Sequence, residues 1–317
     1  MIDELWKDYV PESTRESDFD AFWEETKLES KKQPLEVRLT DIPYPISSIH
    51  AQKLTFNGFN GTDIAGFYLK PDSVKENLPC LLVLHGYGGN KGSIANYAKY
   101  LMMGYAVVAL DTRGHGESAN GSYPAGGTGS WVTQGILDPR TYYYRHVYMD
   151  VIRAMDVIET LPELDHERIV IYGASMGGGI ALAVAGLDNR ASFVIADVPN
   201  MCDLPLAIQL KMEGSLVSVE QFLRQYPNQL KQVFKTLSYF DNKNLVENIN
   251  CPVRFSAGGK DSICPPQTIY GVYNLITTEK DIIYYPFSGH DLPGSISHTD
   301  HLITMLSEYV TERVTES

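Results

Sequence analysis

The stretch Arg168-Ile169-Val170-Ile171-Tyr172-Gly173-Ala174-Ser175-Met176-Gly177-Gly178-Gly179-Ile180-Ala181-Leu182-Ala183 decides how this chain folds. A β-branched run stops at Gly173 and a small-residue helical pattern starts after Ser175, so the residues between them read as a sharp strand-to-helix turn. Such a turn exposes a serine hydroxyl only where the flanking residues lack bulk, a demand that Gly173 and Gly177 meet. A bare G-x-S-x-G also suits a glycine-rich turn that merely packs a helix on a sheet. The strand before it and the helix after it favour a nucleophile elbow.

Working outward, short continuous apolar runs recur at Cys80 to Leu84, Tyr105 to Leu110, Ile169 to Tyr172, Phe193 to Ala196, Val253 to Ala257 and Ile282 to Tyr285. Separated by helix-length segments, they predict a mostly parallel sheet covered by helices on both faces, an α/β architecture. Two alternating segments, Gln52 to Phe56 and Asp63 to Leu69, are joined through Asn57-Gly58-Phe59-Asn60-Gly61 and predict an antiparallel hairpin. Before them, Ser17 and Asp20 predict the cap of a helix with Phe19, Phe22 and Trp23 on one face, an N-terminal arm that docks through aromatics. Val147, Val151, Met155 and Ile158 share one face of a sheet-packing helix within Thr141 to Thr160, with Asp150, Arg153 and Asp156 elsewhere on the wheel. Asn200 to Asn250 is helical in period without a clear strand, the place for a cap over the site. The whole is read as one domain over 1–317, with an arm over 1–40 and a helical cap insertion over about 200–250.

Acidic residues outnumber basic ones 39 to 26, for a net charge of −13, so neither nucleic acid nor an anionic membrane is an expected partner. A neutral or cationic small molecule suits that surface better. Cys80, Cys202, Cys251 and Cys264 are scattered without the close spacing of a metal site and read as reduced packing residues. No metal or other cofactor is called for. The N-terminus lacks the basic and apolar regions of a signal peptide, and no run reaches the roughly 18 apolar residues of a membrane span, so the expectation is a soluble cytoplasmic protein.

A serine hydroxyl is a weak nucleophile and needs a histidine to take its proton and a carboxylate to orient that histidine. In the α/β-hydrolase fold the chain order is Ser, acid, His. Among the eight histidines, His290 stands just past the last apolar run, at Ser288-Gly289-His290-Asp291, whereas His298 and His301 lie in a predicted C-terminal helix. Asp261 follows the run Val253 to Ala257 and is the expected acid; Asp197, at the end of the preceding run, competes with it. Charge developing on the substrate carbonyl oxygen needs two N–H donors. The Met176 backbone supplies one, and His85-Gly86-Tyr87-Gly88-Gly89, similar to an H-G-G-G loop, points to the Tyr87 backbone for the other. His85 reads as a packed histidine, and His115 as part of a structural loop.

With these residues in place, nearly the whole chain resembles the acetyl xylan esterase and cephalosporin C deacetylase family, carbohydrate esterase family 7. The resemblance rests on Asp18-Phe19-Asp20-Ala21-Phe22-Trp23, His85-Gly86-Tyr87, Gln134-Gly135-Ile136-Leu137-Asp138 with Tyr142-Tyr143-Tyr144-Arg145, and Asp261-Ser262-Ile263-Cys264-Pro265-Pro266. It implies Ser175, Asp261 and His290 as nucleophile, acid and base, Tyr87 and Met176 as oxyanion donors, and an acyl-serine route for deacetylating small acetylated carbohydrates and cephalosporin C without a cofactor. It further implies a homohexamer, with Ala119 to Asp138 helping to build the interface. The chain departs from the family pattern at His115, Met176 and Asp291, where Gln, Gln and Glu are usual. A general short-chain carboxylesterase and a non-catalytic binding module are the rival readings, and the intact Ser, Asp and His set argues against the second.

Overall fold

The computed structural model describes residues 6–74, 76–123, 129–210 and 213–315. Helix α1 (Phe19–Lys31) begins at Asp18, which makes no side-chain cap bond. This corrects the expected cap at Ser17 and Asp20. The Asp18 carboxylate instead accepts from the Tyr239 hydroxyl, so its charge helps to dock the arm. As expected, Phe19, Phe22 and Trp23 are buried, with Phe22 and Tyr239 ring centroids 4.6 Å apart and Trp23 and Phe240 rings 5.5 Å apart.

Three strands, β1 (Arg38–Asp41), β2 (Ile49–Asn57) and β3 (Asp63–Pro71), run antiparallel, and the pairing of Asn57 with Asp63 closes the predicted hairpin. The sequence holds no signal for β1, because all four of its residues are exposed and no apolar alternation marks them. The six apolar runs become β4 (Leu78–Leu84), β5 (Ala106–Leu110), β6 (Leu164–Ala174), β7 (Phe193–Asp197), β8 (Val253–Gly258) and β9 (Lys280–Tyr285), joined in parallel. The sheet order is β1-β2-β3-β5-β4-β6-β7-β8-β9.

Helices α2 (Ala98–Met102), α3 (Tyr143–Glu159) and α4 (Met176–Leu187) follow their strands in chain order. Between β7 and β8 lie α5 (Leu204–Gln209), α6 (Val217–Gln225) and α7 (Leu230–Ser238), the helical insertion expected there. Last come α8 (Pro266–Leu275) and α9 (Ile296–Thr315). One core packs α1, α3, α4, α8 and the insertion on one face of the sheet; a smaller core packs α2 and α9 on the other. Covered on both faces, a central strand such as β5 is buried at every residue, which is why its sequence is continuously apolar rather than alternating.

Helix α3 is the expected sheet-packing helix, and it is buried on nearly every side, with Asp150 and Arg153 inside as well. The Asp150 carboxylate accepts from Arg113 Nε and Nη2, both at 2.6 Å, and from the Phe59 N–H at 2.7 Å. Arg153 donates to the carbonyls of Asn57, Ser30 and Pro34 at 2.7–2.9 Å, fastening the arm to the hairpin. Among the described residues, no helix is long and apolar enough to cross a membrane.

Candidate active site

Ser175 precedes α4 with φ 57° and ψ −119°, a sparsely populated positive-φ conformation that costs a non-glycine residue of order 1–3 kcal/mol. Its surroundings hold it there. The Ser175 N–H donates to the Asp197 carbonyl at 2.8 Å, and the Ser175 carbonyl accepts from Asn200 and Gly179 N–H groups at 2.9 and 3.0 Å. The turn is also too tight for side chains on either flank: a Cβ on Gly173 would lie 2.3 Å from the Gly177 carbonyl carbon, and one on Gly177 would lie 2.2 Å from the Leu84 oxygen.

Strands β6, β8 and β9 end at the same side of the sheet, and the residues beyond them meet. His290 Nε2 lies 2.9 Å from Ser175 Oγ, and His290 Nδ1 lies 2.8 Å from Asp261 Oδ2. The other carboxylate oxygen, Oδ1, accepts the N–H groups of Ile263 and Cys264, both at 2.8 Å. A carboxylate only accepts, so Nδ1 carries the imidazole proton and Nε2 presents its lone pair to the serine. The Asp261 side chain is wholly buried while that of His290 is 24% exposed, so charge forming on the imidazole faces a dry, fixed counter-charge.

The competing residues lie elsewhere. Asp197 and His298 are both buried, with His298 Nε2 2.9 Å from Asp197 Oδ1, which also accepts from Ser256 Oγ at 2.8 Å. They pair with each other. His301 is half-buried in α9.

Beside the elbow, Gly86 lies so near that a Cβ on it would sit 3.6 Å from the Ser175 Cβ. Tyr87 is half-buried, its hydroxyl 2.6 Å from Ser130 Oγ and accepting the Trp131 N–H at 3.2 Å. The Met176 side chain is fully buried. His115 is buried, its ring stacked on Trp131 with centroids 3.9 Å apart, while Asp291 is exposed. Burial pushes the His85 imidazole down to about 4 and also lowers that of His115, so both stay neutral near pH 7. Tyr142, Tyr143, Tyr144 and Tyr148 are buried in the core. All four cysteines are buried. Of Ala119 to Asp138, residues 124–128 lie outside the described residues.

Two contacts had no reading in the sequence. Thr112 touches His85 from a different loop, and nothing local announces it. The N–H groups that hold Asp261 were findable, since an aspartate just before a helix start commonly accepts from backbone two or three residues on.

A mostly parallel sheet whose central strand turns sharply at a serine into a buried helix defines an α/β hydrolase. Within that class the chain belongs to the acetyl xylan esterase family, whose profile matches residues 1–308, and it is a carboxylic ester hydrolase that removes acetyl groups. It is similar to the acetyl xylan esterase from Paenibacillus sp. R4, with 36% identity, a TM-score of 0.92, and coverage of 96% of this chain and 98% of that one. Acetyl xylan esterase 1 from Thermoanaerobacterium sp. JW/SL YS485 superposes with a TM-score of 0.91 at 28% identity, over 96% of this chain and 98% of that one. The acetyl esterase Axe7A of Xylanibacter ruminicola is 28% identical over 307 residues, which is 92% of this chain and 67% of that protein.

Proposed function

We propose that this chain is a serine esterase that deacetylates small acetylated carbohydrates such as xylo-oligosaccharides, and cephalosporin C, through an acetyl-Ser175 intermediate. One observation carries the reading: His290 bridges Ser175 Oγ, at 2.9 Å, and Asp261, at 2.8 Å. Ser175 Oγ attacks the ester carbonyl while His290 Nε2 takes its proton, and the tetrahedral oxyanion is held by the Tyr87 and Met176 N–H groups. The proton then passes from His290 to the departing alcohol oxygen, leaving acetyl on Ser175. Water, deprotonated by His290, attacks that ester; its collapse returns the proton to Ser175 and releases acetate. Asp261 keeps the imidazole in the required tautomer throughout. The chain works as one catalytic unit, with α5 to α7 as a cap and the N-terminal arm docked beneath it.

An acyl pocket fitted to acetyl loses about 1–3 kcal/mol for each badly placed methylene, roughly tenfold to two-hundredfold. Hydrolysis of p-nitrophenyl acetate is therefore expected to exceed that of the butyrate by at least about tenfold in kcat/KM, with acetylated xylo-oligosaccharides and cephalosporin C also cleaved. A maximum at butyrate or longer would identify a general carboxylesterase instead.

A further inference from the structure

His85 takes no part in the proton transfers described above, yet both of its ring nitrogens are engaged. Nδ1 lies 2.8 Å from the Gly86 carbonyl oxygen. Nε2 lies 3.0 Å from the Thr112 backbone nitrogen and 3.2 Å from Thr112 Oγ1, which also reaches His115 Nδ1 at 3.2 Å. A backbone N–H can only donate, so Nε2 accepts and is bare. The single proton of the neutral ring is then on Nδ1, donating to Gly86. The Gly86 carbonyl accepts a second bond, from the Gly89 N–H at 3.0 Å, closing a tight turn in which Gly88 has φ +73°. Both lone pairs of that one carbonyl are therefore taken.

The consequence falls on the neighbouring atom. Gly86 C=O and Tyr87 N–H belong to one planar trans peptide and point in opposite directions, so fixing the oxygen fixes the hydrogen. This is the peptide lying against Ser175, since a Cβ on Gly86 would stand 3.6 Å from the Ser175 Cβ. We propose that His85 is a positioning residue of the oxyanion hole, whose Nδ1–H holds the Gly86–Tyr87 peptide so that the Tyr87 N–H faces the substrate's carbonyl oxygen. The inference rests on the reading of Tyr87 as an oxyanion donor. A hydrogen bond accepted at the oxygen also polarises the peptide, so the same contact strengthens the N–H as a donor.

The arrangement needs a neutral ring, because a proton on Nε2 would set two donors, His85 and the Thr112 N–H, against each other. Burial supplies that neutrality, helped by His115 and Lys91 and opposed by Asp111 and the Gly86 carbonyl bond. His85 thus serves catalysis while never touching the substrate.

Three variants separate this role from simple packing. In His85→Asn the amide nitrogen overlays Nδ1 and donates to Gly86; in His85→Gln it overlays Nε2 and does not; His85→Phe keeps the ring and loses both nitrogens. Losing a well-aimed oxyanion donor costs roughly a hundredfold or more in kcat. With p-nitrophenyl acetate, His85→Gln and His85→Phe are expected to lose on the order of a hundredfold in kcat with KM changed less than about threefold, while His85→Asn recovers at least about tenfold of that loss. Affinity for a boronic acid that forms a tetrahedral adduct on the serine should fall in the same order. The contrast between Asn and Gln decides the matter even if the Phe variant does not fold. Equal losses in Asn and Gln, or kcat within threefold of the parent in Gln, would overturn the proposal. Ser175→Ala measured alongside separates the two levels: if it abolishes turnover while His85→Gln does not impair it, only the role of His85 falls; if it retains turnover, the serine reading falls as well.

Discussion

At the scale of single residues, the site depends on which carboxylate the histidine meets. Asp261 and Asp197 stand at the ends of adjacent strands, and each has a histidine within 2.9 Å, but only the histidine on Asp261 reaches the serine. Asp261→Asn should therefore lower kcat by about 10⁴-fold, the scale of a wrong tautomer in a Ser-His-Asp set, with little change in thermal stability. Asp197→Asn should act chiefly on stability, by unpairing the buried His298. Steady-state kinetics and thermal unfolding on both variants check this, and a larger kinetic loss at Asp197 would reassign the acid. That Ser175, Asp261 and His290 come together was legible in the sequence, because a serine nucleophile needs those residue types and the fold sets their chain order, at strand ends marked by apolar runs. The tautomer of His85 was not legible, since it is set by Thr112, 27 residues away in the chain.

At the scale of elements, α3 shows where periodicity stops being informative. Its apolar stripe predicted a helix packed on the sheet, and that helix forms. The same wheel placed Asp150 and Arg153 off that stripe, but the arm and the hairpin cover them too, so Asp150 is paired with Arg113 and Arg153 is held by backbone carbonyls inside. Charge in a sequence marks a solvated face only when nothing folds over it, and the partner of Asp150 comes from a loop 37 residues earlier. Removing one member of a buried, bidentate pair strands the other charge, at a cost of about 3–5 kcal/mol. Asp150→Ala is accordingly expected to lower the unfolding free energy by that amount in chemical denaturation. A loss below about 1 kcal/mol would mean that water reaches Arg113 and the pair is not sealed.

At the scale of the whole molecule, the parallel strands were readable because a sheet covered on both faces demands unbroken apolar segments, whereas β1, exposed at all four residues, left no trace. The resemblance of Ala119 to Asp138 to an interface loop leads us to expect a homohexamer, and light scattering at working concentration should return a mass well above that of a dimer; a stable monomer would contradict it. Every reading of function, from acyl preference to the role of His85, passes through one hydroxyl. Ser175→Ala is thus the most direct test: the purified variant should unfold at the parent's temperature within a few degrees and lose at least about 10³-fold in kcat/KM on p-nitrophenyl acetate. Turnover within tenfold of the parent, from a variant equally well folded, would contradict the account at its centre.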